Sequence, residues 1–294
     1  MCLANAPKIH TIDAMYSDVS KDLNQILDSD TFTVTQDSNY VLPENADELN
    51  GSDYGLKILH LNIHSLPAKI DELKFLINKL TEKGVMLDII LLCETFLSDV
   101  KNLNCEIDGY SLVERHRTKG RGGGVAILIK NGIKFKELRD LTVFNEGLLE
   151  SLFLEITFDA QKVIIAELYR VPGTDIDVFF DQYEEIVRKL QEKNLPVIIG
   201  TDQNLDFLKI NVHNKTNQFF DMNLDAGFVP MITRPTRITS TSATLIDNIY
   251  CSNLSHVKSA IILSGISDHL PCCLLFGMSK KYKKRPLVIE SRKI

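Results

Sequence analysis

The sequence of 294 residues predicts an α/β fold from three observations. Short runs rich in Val, Ile and Leu recur along the chain, amphipathic stretches with helical spacing stand between them, and Gly, Pro, Asn and Asp punctuate the joins. Residues 56–61 (LKILHL) form a first strand, after which Pro67 opens a helix with Ile70, Leu73, Leu76, Ile77 and Leu80 on one face. Gly84 lies beyond the end of that helix, and residues 88–93 (DIILLC) make a second strand. Gly122, Gly123 and Gly124 form a tight turn feeding a strand over 125–130. No Lys-Ser/Thr follows the triplet and no helix succeeds it, which argues against a nucleotide-binding P-loop. Strands at 150–158 and 161–169 are joined by Asp159-Ala160. Residues 175–192 are a helix whose Ile176, Phe179, Phe180, Tyr183, Ile186, Val187 and Leu190 form a core-facing stripe. A buried strand over 196–200, a helix over 216–226 closed by Gly227, and strands at 244–250 and 260–264 complete the series.

Charge divides the chain into three parts. The net charge of −6 splits into −8 for residues 1–55, −4 for 56–279 and +6 for the tail 280–294. The acidic, weakly apolar first part predicts a largely disordered leader with one marginal helix over 12–27, ahead of a catalytic domain at 56–279 and a basic tail or linker at 280–294. A catalytic body of negative sign needs a divalent cation to accept a phosphate. The six cysteines show no C-x-x-C pair and no regular framework, which points to a reducing compartment. No apolar run approaches membrane-spanning length and no secretory signal opens the chain, so an intracellular protein is expected.

The strands also end on polar side chains that buried strands do not need. Asn62, Glu94 and Tyr169 close three of them, Asp202 and Asn204 follow a fourth, and Asp268-His269 precedes the apolar run at Cys272. A single Asp or Asn at a strand end is common turn chemistry, but this recurrence points to a shared site. The residue types suit hydrolysis of a phosphodiester, which requires an activated water, neutralisation of the phosphate oxygens and help for the leaving alkoxide. Asp202 is the expected group that polarises or deprotonates water. Asn204, projecting from the same side, is the expected amide donor to the phosphate or to Asp202. Glu94 is the leading metal ligand, with Asn62 and Asp268 completing, directly or through water, a shell of the kind Mg²⁺ accepts. His269 faces the phosphate, and Asp247 supplies the carboxylate that fixes its tautomer.

Taken in order, Asn62, Glu94, Gly122-Gly123-Gly124, Glu150-Ser151, Tyr169-Arg170-Val171-Pro172, Asp202-x-Asn204, Arg234-Pro235-Thr236-Arg237, Leu245-Ile246-Asp247 and Ser267-Asp268-His269 resemble the endonuclease/exonuclease/phosphatase superfamily. The resemblance spans about residues 56–277. Asn62-x-x-Ser65-Leu66, the Gly triplet and Arg-Pro-Thr-Arg are similar to the apurinic-type endonuclease domain of non-LTR, LINE-like retrotransposons. The resemblance implies a two-sheet α/β sandwich of four layers, like deoxyribonuclease I, with Mg²⁺ (or Mn²⁺) as cofactor. It also implies a Tyr169 phenol on a phosphate oxygen, the Asp247–His269 pairing, and nicking of DNA that leaves a 3′-hydroxyl to prime reverse transcription. Two positions depart from the family pattern. Thr201 stands where the family has Gly directly before the Asp of Asp-x-Asn, with Gly200 displaced by one, and His64 stands where some relatives carry a second metal-binding Asp. The second departure favours a one-metal site.

Double-stranded DNA in the nucleus is the expected partner. Arg121, Arg170, Arg234 and Arg237, together with Arg115, Arg117 and Lys119, lie in loops near the motifs and offer phosphate contacts. The basic tail adds non-specific attraction or links toward a reverse transcriptase, for which no polymerase-length segment follows Ile294. Two other functions compete. A phosphoesterase acting on a lipid or inositol phosphate is disfavoured because the chain has no Trp and carries Asp206 where inositol phosphatases have Arg. A catalytically silent, transposon-derived DNA-binding protein is disfavoured by the intact Glu94, Asp202, Asn204, Asp247 and His269.

Overall fold

The computed structural model describes residues 38–50, 55–99, 105–120, 122–252 and 256–277. In chain order its strands are β1 (Asn39–Val41), β2 (Leu56–Asn62), β3 (Ile89–Cys93), β4 (Tyr110–Arg115), β5 (Val125–Lys130), β6 (Lys134–Glu137), β7 (Phe144–Asn145) and β8 (Leu149–Phe158). They continue with β9 (Gln161–Arg170), β10 (Val197–Asp202), β11 (Val229–Pro230), β12 (Arg237–Ile238), β13 (Ala243–Thr244), β14 (Asp247–Cys251), β15 (Val257–Ile262) and β16 (Cys272–Phe276). The α-helices are α1 (Leu66–Glu82), α2 (Ile176–Lys193) and α3 (Asn214–Asp225).

Two mixed sheets stack face to face. The first runs β1-β15-β16-β2-β3-β5-β4, and the second runs β11-β14-β10-β9-β8-β6 with β7 on β8. Strand alternation sorts the first sheet's residues between two cores. Leu56, Ile58, Ile89, Leu91, Val125 and Ile127 pack against the second sheet, whereas Leu59, Leu61, Ile90, Leu92, Ala126 and Leu128 pack with Leu73, Leu76, Ile77 and Leu80 of α1. Strands buried on both faces need no polar side chain, which accounts for the unbroken apolar runs of β3 and β5. Helices α2 and α3 flank the second sheet, so the layers are helix, sheet, sheet and helices, as the resemblance implies.

Local chemistry sets the helix limits. The Asp175 carboxylate accepts from the N–H groups of Asp177 at 2.9 Å and Val178 at 3.3 Å, capping α2, and Asn194 ends the helix in the left-handed region at φ 49°. Phe179 and Tyr183 of α2 lie 5.5 and 5.0 Å, ring to ring, from Phe219 of α3, and the Tyr183 hydroxyl donates to Asn223 Oδ1 at 2.5 Å. The aromatic stripe is core.

The expected leader boundary at residue 55 is corrected by residues 38–50. Strand β1 pairs in parallel with β15, placing Asn39 opposite Ala260, and the 3₁₀ helix Pro43–Leu49 buries Ala46 and Leu49 in the core beneath α1. Ser38 is buried and its hydroxyl donates to the Met231 carbonyl at 2.8 Å. A three-residue edge strand and one 3₁₀ segment are too short to show a period among acidic residues. The expected helix over 12–27 and the basic tail lie outside the described residues. The strand expected over 244–250 starts instead at Asp247, because Ala243–Thr244 pairs with Arg237–Ile238 in a separate two-stranded ribbon.

Candidate active site

The site forms where both sheets end on the same side. Parallel pairing of β2 with β3 puts Asn62 opposite Cys93, so Glu94 follows directly beside it. In the second sheet, β10 lies between β9 and β14, and Asp202 is registered with Tyr169 on one side and Asp247 on the other. Thus three strand ends of one sheet face three of the other.

The hydrogen bonds cross that seam. Asn62 Nδ2 donates to Glu94 Oε1 and to Asp202 Oδ2, both at 2.8 Å, while its Oδ1 accepts the His64 N–H at 3.2 Å. The Tyr169 hydroxyl donates to Glu94 Oε1 at 3.0 Å. His269 Nδ1 lies 3.0 and 2.9 Å from the two oxygens of Asp247, and Thr236 Oγ1 donates to Asp247 Oδ2 at 2.6 Å. The five expected residues Asn62, Glu94, Tyr169, Asp202 and Asp247 therefore meet in one place with His269. Glu94 and Asn204 sit at φ 47° and 48°, a left-handed conformation uncommon for residues with a side chain and frequent where function requires it.

Burial and neighbours set the charges. Burial, with Asp247 as a like-charged neighbour, pushes the Asp202 carboxyl up to about 7 against the opposing pull of His269 and Asn62. Burial opposes the charged form of His269, but Asp247 and Asp202 outweigh it and raise the imidazole to about 9. Burial likewise works against an ionised Asp247, yet His269 and His60 hold it well below the usual carboxylate range. Near neutral pH the site therefore offers a basic carboxylate poised to take a proton beside an imidazolium locked by an anionic partner.

Several expected residues stand elsewhere. Asp268 does not join Glu94 and Asn62: its Oδ2 is clamped by Arg237 through Nε at 3.0 Å and Nη2 at 2.7 Å, an exposed ion pair at the rim next to His269. A planar guanidinium on the neighbouring ribbon competes for that carboxylate. Asn204 does not extend the strand beside Asp202. The chain turns after β10, so its Nδ2 donates to the Arg170 carbonyl at 2.8 Å while its backbone N–H donates to Asp202 Oδ1 at 3.1 Å. Arg170 closes β9 rather than occupying a loop, and is buried, with Nη1 and Nη2 donating to the Asn204 and Thr174 carbonyls at 3.3 Å and its guanidinium over the Phe179 ring. Arg234 is partly buried over the Tyr40 ring. Arg121 lies outside the described residues. Of the four expected DNA contacts, Arg237 is the exposed one among the described residues.

Three roles were missed from sequence. Thr236 buttresses Asp247, Glu150 accepts the Gly124 N–H at 2.6 Å and the Arg117 guanidinium to hold the Gly-rich loop, and His60 pairs with Glu167 in the core below the site. Polar residues inside otherwise apolar strands were the available signal for the last pair.

Carboxylate oxygens of Glu94 and Asp202 meet at one corner, where Asn62 turns its Nδ2 toward both. Glu94 Oε2 takes no hydrogen bond among the described residues, and this carboxylate beside a second, buried one fits a hard divalent cation such as Mg²⁺ or Mn²⁺, whereas Asn62, expected as a ligand, instead donates its amide to both carboxylates. Asp202, Asp247 and His269 also place metal-capable atoms within 4.8 Å of one another, but Asp247 and His269 already satisfy each other there. A bound cation would supply a Lewis acid for phosphate oxygens.

A carboxyl raised toward neutrality, an imidazole locked by an anionic partner and a carboxylate corner able to take a cation suit the hydrolysis of phosphoesters. The sequence model of the Endonuclease/Exonuclease/phosphatase family matches residues 50–269, and the chain belongs to that family, whose members are hydrolytic phosphoesterases and nucleases. The fold is similar to the endonuclease domain of TRAS1, a telomere-specific non-LTR retrotransposon, at a TM-score of 0.59 and 16% identity, covering 76% of this chain and 100% of that one. It is similar to a 3′ phosphatase from Neisseria bound to product DNA hairpin, at a TM-score of 0.55 and 17% identity, covering 75% and 99%. A mannosyl-6-phosphatase from Bacteroides thetaiotaomicron matches at a TM-score of 0.53 and 16% identity, covering 74% and 98%. No curated protein matches the chain by sequence. No helix among the described residues is long and apolar enough to cross a membrane.

Proposed function

We propose that the protein is a divalent-metal-dependent endonuclease that nicks double-stranded DNA in the nucleus and leaves a 3′-hydroxyl, with Mg²⁺ as the working cation and a reverse transcriptase as the user of that end. The observation that carries it is the convergence of Asn62, Glu94 and His269 from one sheet on Tyr169, Asp202 and Asp247 from the other. Support for DNA over a small phosphoester comes from the Asn-x-x-Ser-Leu, Gly-triplet and Arg-Pro-Thr-Arg motifs and from the likeness to a retrotransposon endonuclease domain along that domain's whole length.

Each side chain has a task in this chemistry. Asp202 accepts the proton of the attacking water, held in place by the Asn62 amide and the Asn204 N–H. His269, cationic and oriented by Asp247, neutralises the charge that builds on the phosphate oxygens. Tyr169 and Asn62 fix Glu94 through Oε1, and Glu94 would hold the cation. Arg237 at the rim is placed to exchange its Asp268 partner for a DNA phosphate.

The test sets two substrates side by side. Purified protein with Mg²⁺ should cleave a labelled duplex and yield ends that a polymerase extends without further treatment, while releasing little phosphate from sugar or inositol phosphates. Release of phosphate from the small esters with an intact duplex would overturn the proposal in favour of a phosphatase. Ends that cannot be extended would overturn the 3′-hydroxyl assignment.

A further inference from the structure

Directly below the site, one pleat deeper, lies a buried polar layer. Side chains two residues apart on a strand share a face, so His60 sits under Asn62, Glu167 under Tyr169 and Gly200 under Asp202. His60 and Glu167 are fully buried between the sheets, with His60 Nδ1 3.0 Å from Glu167 Oε2. Among the described residues His60 Nε2 and Glu167 Oε1 have no hydrogen-bond partner, and the Nε2 lies 3.8 Å from Asp247 Oδ1. A buried ion pair is costly to keep, and a packed apolar pair of the same volume would often stabilise the fold as well or better. The pair is therefore poorly explained by stability alone.

Gly200 shows that the second sheet makes room for it. A Cβ at that position would stand 2.8 Å from Glu167 Oε2, 3.0 Å from His60 Nδ1 and 2.7 Å from Leu91 Cδ1, and the residue has no positive φ that would otherwise require glycine. The displaced glycine of the Asp-x-Asn motif thus has a physical reason. It sits on the same face as Asp202, where the pair needs the space, rather than directly before it, where Thr201 fits the strand.

We propose that His60 and Glu167 are positioning residues for the catalytic pair: Glu167 fixes the His60 ring, His60 directs Nε2 at Asp247 Oδ1, and Asp247 in turn is held in the orientation that locks His269. The contact links β9 of the second sheet, β2 of the first and β14 of the second. Asp247 is braced from below by His60 and from the side by Thr236, while its upper partner is the imidazole that meets substrate. Residues that orient an active group through one intermediate commonly affect function by about ten- to a hundredfold when altered.

The kinetic consequence rests on the endonuclease function proposed above, but the structural one does not. Glu167→Gln and His60→Asn are compared with the native protein for the proton resonance of the His269 Nδ1–H bonded to Asp247, for melting temperature and for nicking. The expected result is a shifted or exchange-broadened His269 resonance in both variants, and a kcat lowered about tenfold with KM unchanged. In a His269→Ala background the same changes should cost less than about twofold, because residues acting through one imidazole are not additive. An unchanged His269 resonance in folded variants overturns the proposal, as does a multiplicative loss in the His269→Ala background, which would mark a general structural role. If neither variant folds, imidazole spectra of the native protein decide. Protons on both His60 nitrogens are expected, one directed at Glu167 and one at Asp247, and a bare Nε2 overturns the proposal. A native protein that fails to nick DNA but shows the predicted resonances would refute the endonuclease function alone.

Discussion

Asn62 at the end of one sheet donates its side-chain amide to Asp202 in the other at 2.8 Å, closing the seam on which the site is built. That amide and the Asn204 N–H are the donors set against the Asp202 carboxylate, and they do not offset its burial next to Asp247. Ionising that carboxylate therefore costs the fold stability, a cost for which the proposed role of Asp202 as base would account.

Asp202→Asn should therefore abolish activity while stabilising the fold. Loss of nicking by at least about a hundredfold is expected from removal of a general base. The sign of the stability change follows from the raised carboxyl: the folded state favours the protonated form, so ionising Asp202 costs stability as pH rises from about 3.8 toward about 7. The variant's melting temperature should exceed that of the native protein most above pH 7, by the equivalent of about 1–3 kcal/mol, and the difference should vanish below pH 4. A variant less stable than the native chain at pH 8 contradicts this.

Removing His269 and Asp247 together should cost little more than removing His269 alone. The carboxylate acts through the imidazole it holds at 2.9 Å, and groups that act as a unit are not additive. His269→Ala, Asp247→Ala and the double variant compared on one plasmid substrate would measure it. Fully multiplicative losses would show that Asp247 works independently.

Nicking should follow a bell in pH. The rising limb reports Asp202 losing its proton near 7, or lower because a bound cation favours the carboxylate, and the falling limb reports His269 losing its proton near 9. Rates from pH 5 to 10 at saturating metal check this. In His269→Ala the falling limb should disappear while the rising one persists, and a falling limb that persists would remove His269 from the role of cation.

Residues 38–50 should prove necessary for stability. A chain starting at residue 38 keeps β1 on β15 and the buried Ala46 and Leu49, whereas one starting at residue 51 loses the pairing and both side chains. Burial of aliphatic side chains of this size makes the expected difference about 2–5 kcal/mol in chemical denaturation. Equal midpoints for the two chains would return this segment to a dispensable leader.

The layered fold was legible because its signals are long. β5 over Val125–Lys130, β8 and β9 with their two-residue turn, and α2 with its Asp175 cap all fall within a residue of where period and turn chemistry place them. The short strands β4 and β6 carry no comparable period: Lys134–Glu137 reads as KFKE, and its pairing with β8 is decided by tertiary contact. At the site, Asn62, Glu94, Tyr169 and Asp202 were visible as polar tips on apolar strands, and Asp247 as the carboxylate expected to pair with His269. Asp268 and Arg170 were misplaced because an ion pair with Arg237 and a hydrogen bond to the Asn204 carbonyl depend on how distant loops fold back. His60 and Glu167 stood in plain view inside apolar runs, but only the stacking of the two sheets shows that they meet.

Relaxation of supercoiled plasmid is the most direct measurement of the central claim. Native protein with Mg²⁺ should convert the plasmid to open circles, EDTA should stop it, and Glu94→Gln and Asp202→Asn at equal concentration should each leave it at least about a hundredfold slower while still folded. Nicking that survives both substitutions, or a folded native protein that leaves the plasmid supercoiled across the pH range and with either Mg²⁺ or Mn²⁺, would contradict the assignment of this site as an endonuclease.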